Sequence, residues 1–219
     1  MTDYSTTQNR MTDGGDRWVI GAGGTLEFEP GAQVEGGALV VSGVGALSTM
    51  FIHHYSIAPA AKSATGVHAA IALTASPQTV TTAISNPDVP RTVTVKGNAS
   101  GITGDVIISG TNVDGDAITD TIALNGATEV EGTKAFATVT SIQLPAETHA
   151  GTDTVSIGKA NSFGLPEIVD HDELMLKSLF DGAADAGTTY VDADEVEKNM
   201  YTIAGTPNGT KVLDLYYIA

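Results

Sequence analysis

The sequence predicts an all-β protein: an immunoglobulin-like β-sandwich, an N-terminal glycine-cornered β-module of solenoid or prism type, and a C-terminal β-rich region. Three observations carry this. From Thr65 to Pro166, short Val/Ile/Thr-rich runs recur with turn signals at roughly 8–12-residue spacing. After Trp18, very short apolar runs alternate with glycines at Gly24, Gly31 and Gly37. Near the C-terminus, Leu213, Leu215 and Tyr217 alternate with Val212, Asp214 and Tyr216, giving one apolar face.

Residues 1–16 are polar and rich in Gly, Asp and Thr, and they read as a flexible arm. Residues 17–63 form the glycine-cornered module and a linker. In such a module each Gly makes a corner and one aliphatic residue per strand points inward. It has too few rungs to bury a core alone, because roughly three repeats are needed. Wrapping by three chains supplies the missing walls, so Trp18, Ile20, Leu26, Phe28, Val34 and Leu39 are the candidate subunit or surface contacts. The linker holds His53 and His54. Neighbouring residues of a strand point to opposite faces, so this pair reads as packing rather than as a metal site.

Residues 64–166 supply eight candidate strands: Val67–Leu73, Gln78–Ile84, Arg91–Lys96, Asp105–Ser109, Ala117–Leu124, Thr128–Val130, Phe136–Leu144 and Thr154–Ile157. The clearest pair meets at Asp114-Gly115, which predicts a hairpin closed by a type I′ turn, with Ile118, Ile122 and Leu124 on the buried face and Thr119, Asp120 and Thr121 on the wet one. Phe163-Gly164-Leu165-Pro166 ends the sandwich. In residues 167–219, Glu173–Phe180 reads as a short strand or helix and Tyr190-Val191-Asp192 as an extended piece. Pro207-Asn208-Gly209-Thr210 is a turn before the last strand.

Composition narrows the function. Aromatics make up 5% of 219 residues and hydrophobics 42%, so the cores are aliphatic and small, and shared burial between subunits is expected. A formal charge of −16, from 10 Lys plus Arg against 26 Asp plus Glu, opposes binding to DNA or RNA. With no cysteine there is no disulfide framework and no thiol nucleophile. The start Met1-Thr2-Asp3-Tyr4-Ser5 carries no leader pattern and no run reaches the ~18 apolar residues of a membrane span. The expectation is a protein made in the cytoplasm that reaches its destination without secretion.

Catalytic motifs do not emerge. His53, His54, His68, His149 and His171 lack zinc spacing, no Ser lies in a GxSxG elbow, and no Gly-rich loop carries a phosphate-binding lysine. Asp170-His171-Asp172-Glu173 reads as a solvated turn and Asp192-Ala193-Asp194-Glu195 as a helix start or wet loop ahead of a calcium site, since the fixed alternation of an EF-hand loop is missing. Paired carboxylates for glycoside hydrolysis are assembled by folds rather than by spacing. Even so, 11 Tyr plus Phe and one Trp present no obvious sugar-binding surface. The expectation is no enzyme, no cofactor and no bound metal.

Several segments carry a family resemblance. Ile71-Ala72-Leu73-Thr74, Ser76-Pro77-Gln78-Thr79-Val80, Asn86-Pro87-Asp88-Val89-Pro90-Arg91, Gly97-Asn98-Ala99-Ser100-Gly101 and Thr148-His149-Ala150-Gly151-Thr152 resemble the capsid decoration and head fibre proteins of tailed bacteriophages. The ending Asn208-Gly209-Thr210-Lys211 with Tyr216-Tyr217-Ile218 does so too, and Gly24-Thr25-Leu26-Glu27-Phe28 is similar to the base of head fibres. The resemblance implies a trimeric structural protein on the outer capsid surface of a virion, with the major capsid protein and its own copies as partners and no catalytic residues. The short N-terminal module fits a compact knob better than a long fibre. Two other classes share these features: a host-surface adhesin that binds glycans, and a tail or tail-tube subunit with an immunoglobulin-like addition.

Overall fold

Val, Ile and Thr lose rotamer freedom against a helical turn but pack well on a pleated surface, and the chain follows that preference throughout. A computed structural model describes residues 51–149 and 152–219, together with the strand backbones at 9–11, 18–20, 40–43 and 46–49. The described residues are all-β. Among them helical geometry is confined to two 3-10 turns, Asp172–Leu174 and Val196–Lys198.

The N-terminal strands are β1 (Asn9–Met11), β2 (Trp18–Ile20), β3 (Val40–Gly43) and β4 (Ala46–Thr49). They pair antiparallel as β1 with β2 and β3 with β4, so part of the expected arm is strand. Then come β5 (Ile52–Ile57), β6 (Ser63–Ala72), β7 (Gln78–Val80), β8 (Arg91–Gly97), β9 (Asp105–Thr111), β10 (Ala117–Ala123), β11 (Val130–Phe136), β12 (Thr138–Leu144) and β13 (Thr154–Gly164). The C-terminal strands are β14 (Met175–Phe180), β15 (Ala183–Ala184), β16 (Thr188–Tyr190), β17 (Met200–Thr202) and β18 (Leu213–Ile218).

Seven of the eight predicted runs fall on β6 to β10, β12 and β13, whereas Thr128–Val130 meets β11 only at Val130, and Phe136, expected to open the next strand, ends β11. The eight strands form two sheets around a shared core. One sheet has the order β10-β9-β12-β7. The other runs β11-β8-β13, with β6 also paired to β13 and with β17 and β16 continuing the sheet. Val93, Val95, Val155 and Ile157 from the second sheet meet Val106, Ile108, Ile122 and Ile142 from the first, all buried. At about 1.5–3 kcal/mol for each fully buried aliphatic side chain, this cluster is the main source of stability for the sandwich.

Two local expectations are corrected. The hairpin between β9 and β10 has no type I′ turn: Asn112 donates its N–H to the Asp116 carbonyl (3.0 Å) across a three-residue loop, and Gly115 has a φ of 86°. The Asn112 side chain accepts from the N–H groups of Asp114 and Asp116, both at 3.0 Å, so Asn112 selects the longer loop. A two-residue hairpin with positive φ at both central residues occurs instead at Asp181-Gly182, between β14 and β15, with φ values of 53° and 79°.

Asp120, expected on the wet face, is buried between Ile118 and Ile122. Its carboxylate accepts the N–H groups of Thr133 (2.7 Å) and Lys134 (3.2 Å), where β11 bulges against β8. Gly132 makes room, since a Cβ there would lie 2.4 Å from Asp120 Oδ2. Bulge donors that have lost their ladder partners are thereby satisfied, which explains how a carboxylate is retained inside.

The C-terminal region is not a separate block. β13 runs to Gly164, and Ser162 to Gly164 pair with Thr202 to Met200 of β17. A third sheet, β15-β14-β18-β5, closes a second core around Phe163, Leu165, Phe180, Tyr201, Leu213, Leu215 and Tyr217. The inward face expected for the last strand is observed, with Leu213, Leu215 and Tyr217 fully buried. Its neighbour β5, read from sequence as linker, pairs with β18 along Ile52 to Ile57.

Candidate functional site

Residues 92, 131–133, 162, 190–192, 198, 200 and 202 lie far apart in sequence but line one cleft on the sheet β11-β8-β13-β17-β16. Strand alternation explains which side chains arrive. Val93 and Val95 of β8 enter the sandwich core, so Thr92 faces the other way. The cleft encloses about 470 Å³ and is lined by Thr92, Glu131, Gly132, Thr133, Ser162, Asp192, Lys198 and Thr202 together with Tyr190, Val191 and Met200. Tyr190, at the end of β16, is 51% exposed.

The polar groups are held in place. Thr92 donates its hydroxyl to Glu131, and the Ser162 and Thr202 hydroxyls are 2.6 Å apart. Asp192 Oδ1 accepts the N–H groups of Asp194 (3.0 Å) and Glu195 (2.9 Å), which lowers its pKa, and Lys198 stands 3.6 Å from its other oxygen. This Asx-type turn leads into the 3-10 turn Val196–Lys198, in line with the helix start or wet loop expected for Asp192–Glu195. Lys198 also pairs with Glu195, and that bond holds the amine above its usual pKa. Behind the loop, Lys134 Nζ binds Glu195 (2.7 Å) and Glu197 (3.0 Å). Burial works against the Lys134 charge, and the two carboxylates outweigh it and raise its pKa.

A second polar centre sits at the seam of the two cores. Arg91 is fully buried, and its guanidinium donates to the Ala160 and Ala60 carbonyls, to Asp88 (3.1 Å) and to Asn161, with the Phe163 ring 4.7 Å away. Burial lowers its pKa and Asp88 opposes that shift. Asp88 also accepts from Lys159 (2.7 Å) and the Ala60 N–H (2.7 Å). Three chain segments therefore meet on one cation, an arrangement that fixes structure rather than performing chemistry.

His53 and His54 take opposite faces of β5, as strand alternation requires. His53 lies 3.1 Å from Glu167 and stacks on Tyr217, while His54 lies 2.8 Å from Asp214 and stacks on Tyr216. Among the described residues no group of three His, Asp or Glu side chains is placed to hold a metal ion. Nor is any helix there long and apolar enough to cross a membrane.

Of the predicted contact residues, Trp18 and Ile20 fall on β2, whereas Leu26, Phe28, Val34 and Leu39 lie outside the described residues. The cleft escaped sequence reading because its parts are contributed by four separate stretches. Its one local signal was Tyr190, an aromatic among exposed polar residues. Compared with known proteins, the chain matches no family model, no curated protein and no solved structure.

Proposed function

We propose that the chain is a structural protein of a tailed-bacteriophage virion, a head decoration protein that seats on the major capsid protein as a homotrimer. The central observation is the outer face of the sheet β15-β14-β18-β5. Strand register sets Ile52, Leu179, Tyr216 and Ile218 on the side away from the second core, with Leu176 at the bulge beside them. Ile52 is 68% exposed and Leu176 51%. The same register sets His54, Ser56, Lys177 and Asp214 on that side, so the face mixes exposed aliphatic and polar side chains, as a contact with a neighbouring subunit or with the shell does. The sheet's edge strand β5 lies within residues 17–63, the module and linker that we take as the trimerising capsid anchor.

The sandwich supports an immunoglobulin-like reading at its centre. β8 pairs with β11 in one sheet while β9 pairs with β12 in the other, so the connections cross between sheets as in a Greek key. The following strand, β13, lies beside β8 rather than β12, a variation on the usual order. Such a molecule acts by adhesion: contacts made only with the assembled shell stabilise it by mass action.

Light scattering on the purified chain should give a trimer, and the chain should co-sediment with heads that lack it, whereas a chain without residues 1–41 should not. A stable monomer at micromolar concentration that leaves such heads bare would overturn this reading.

A further inference from the structure

We propose that the cleft beside Tyr190 is a binding site for a neutral saccharide. Its volume of about 470 Å³ lies within the range of small-molecule sites, about 300–1,000 Å³, and its walls combine apolar surface with a few convergent polar groups. A pyranose has the same duality, an apolar C–H face and a rim of hydroxyls. The half-exposed Tyr190 ring, with Val191 and Met200, offers the first surface.

The second surface is a set of acceptors and donors already oriented. Glu131 and Asp192 accept hydroxyl protons, Lys198 donates, and Thr92, Ser162 and Thr202 do either. Each is tied by a bond on its protein side, so binding need not freeze free rotors. Charge refines the ligand class. Two carboxylates against one ammonium that already serves Glu195 and Asp192 disfavour sialylated, phosphorylated or nucleotide ligands. A small organic cation would meet Lys198 and a single aromatic ring rather than a cage. An uncharged sugar satisfies both surfaces, whichever shell or particle the chain is attached to.

The fluorescently labelled full chain should retain neutral glycans on an array carrying neutral and sialylated glycans. Tyr190→Phe, which keeps the ring, should bind as well as the parent, and Tyr190→Ala should lose at least tenfold with an unchanged melting temperature. Retention of sialylated glycans alone, no retained glycan, or equal binding by Tyr190→Ala would each overturn the assignment. Independently of any variant, titrating the ¹⁵N-labelled chain with neutral methyl glycosides at millimolar concentration should shift the amides of Gly132, Thr133, Tyr190 and Thr202. Shifts confined to other regions would refute it.

Discussion

Arg91 joins what sequence reading treats as three regions. It opens β8, yet its donors reach Ala60 before the sandwich, Ala160 on β13 and Asp88 in the preceding loop, while its flat face covers Phe163. Replacing it with Met keeps much of the volume but leaves buried carbonyls without donors. Because removing one partner of a buried charged network typically costs about 3–5 kcal/mol, Arg91→Met should lower unfolding stability in urea by roughly that amount. Arg91→Lys should recover little, since a single ammonium cannot span both carbonyls. A loss below about 1 kcal/mol would mean that water replaces the guanidinium bonds.

At the scale of elements, strand existence was legible and strand extent was not. Alternating Val, Ile and Thr announced β6 to β10, β12 and β13, because burial on a pleated sheet imposes a period of two, whereas β11, with Glu131, Gly132 and Lys134 in its run, was met only at Val130. β13 looked complete at Ile157, since Gly158, Ala160, Asn161 and Ser162 interrupt the aliphatic pattern. The structure supplies the reason for the glycine: a Cβ on Gly158 would lie 2.4 Å from Thr94 Oγ1 and 2.5 Å from the Ser63 carbonyl. β13 is flanked there by β8 and β6, and the tight packing on both sides excludes a side chain. Gly158→Ala should therefore cost about 1–3 kcal/mol, the usual range for overpacking, although alanine is otherwise better tolerated in a strand. A thermal melt unchanged from the parent would show that β6 can move aside. The cleft was illegible for a related reason: pairing between distant strands brought its residues together, and each stretch alone reads as an ordinary polar edge.

At the scale of the molecule, the sandwich and the C-terminal region share strands instead of meeting at a linker. The sequence placed a boundary at Pro166, where Gly and Pro cluster, and assigned Ile52–Ile57 to the N-terminal side. Yet β5 is paired with β18, β17 is paired with β13, and Arg91 draws the Ala60 carbonyl into the seam. Residues 51–219 should consequently melt as one cooperative unit without the N-terminal segment. A fragment of residues 64–166 would lose the cover over Phe163 and Leu165, worth about 1.5–3 kcal/mol each, together with the Ala60 carbonyl that receives Arg91. For a unit of about 100 residues, a loss of that size corresponds to a drop of at least about 10 °C in melting temperature relative to residues 51–219. Calorimetry on the two fragments checks this. Equal melting temperatures would establish the sandwich as an independent domain and reduce the seam at Arg91 to a local contact; two separate transitions in residues 51–219 would do the same from the other side.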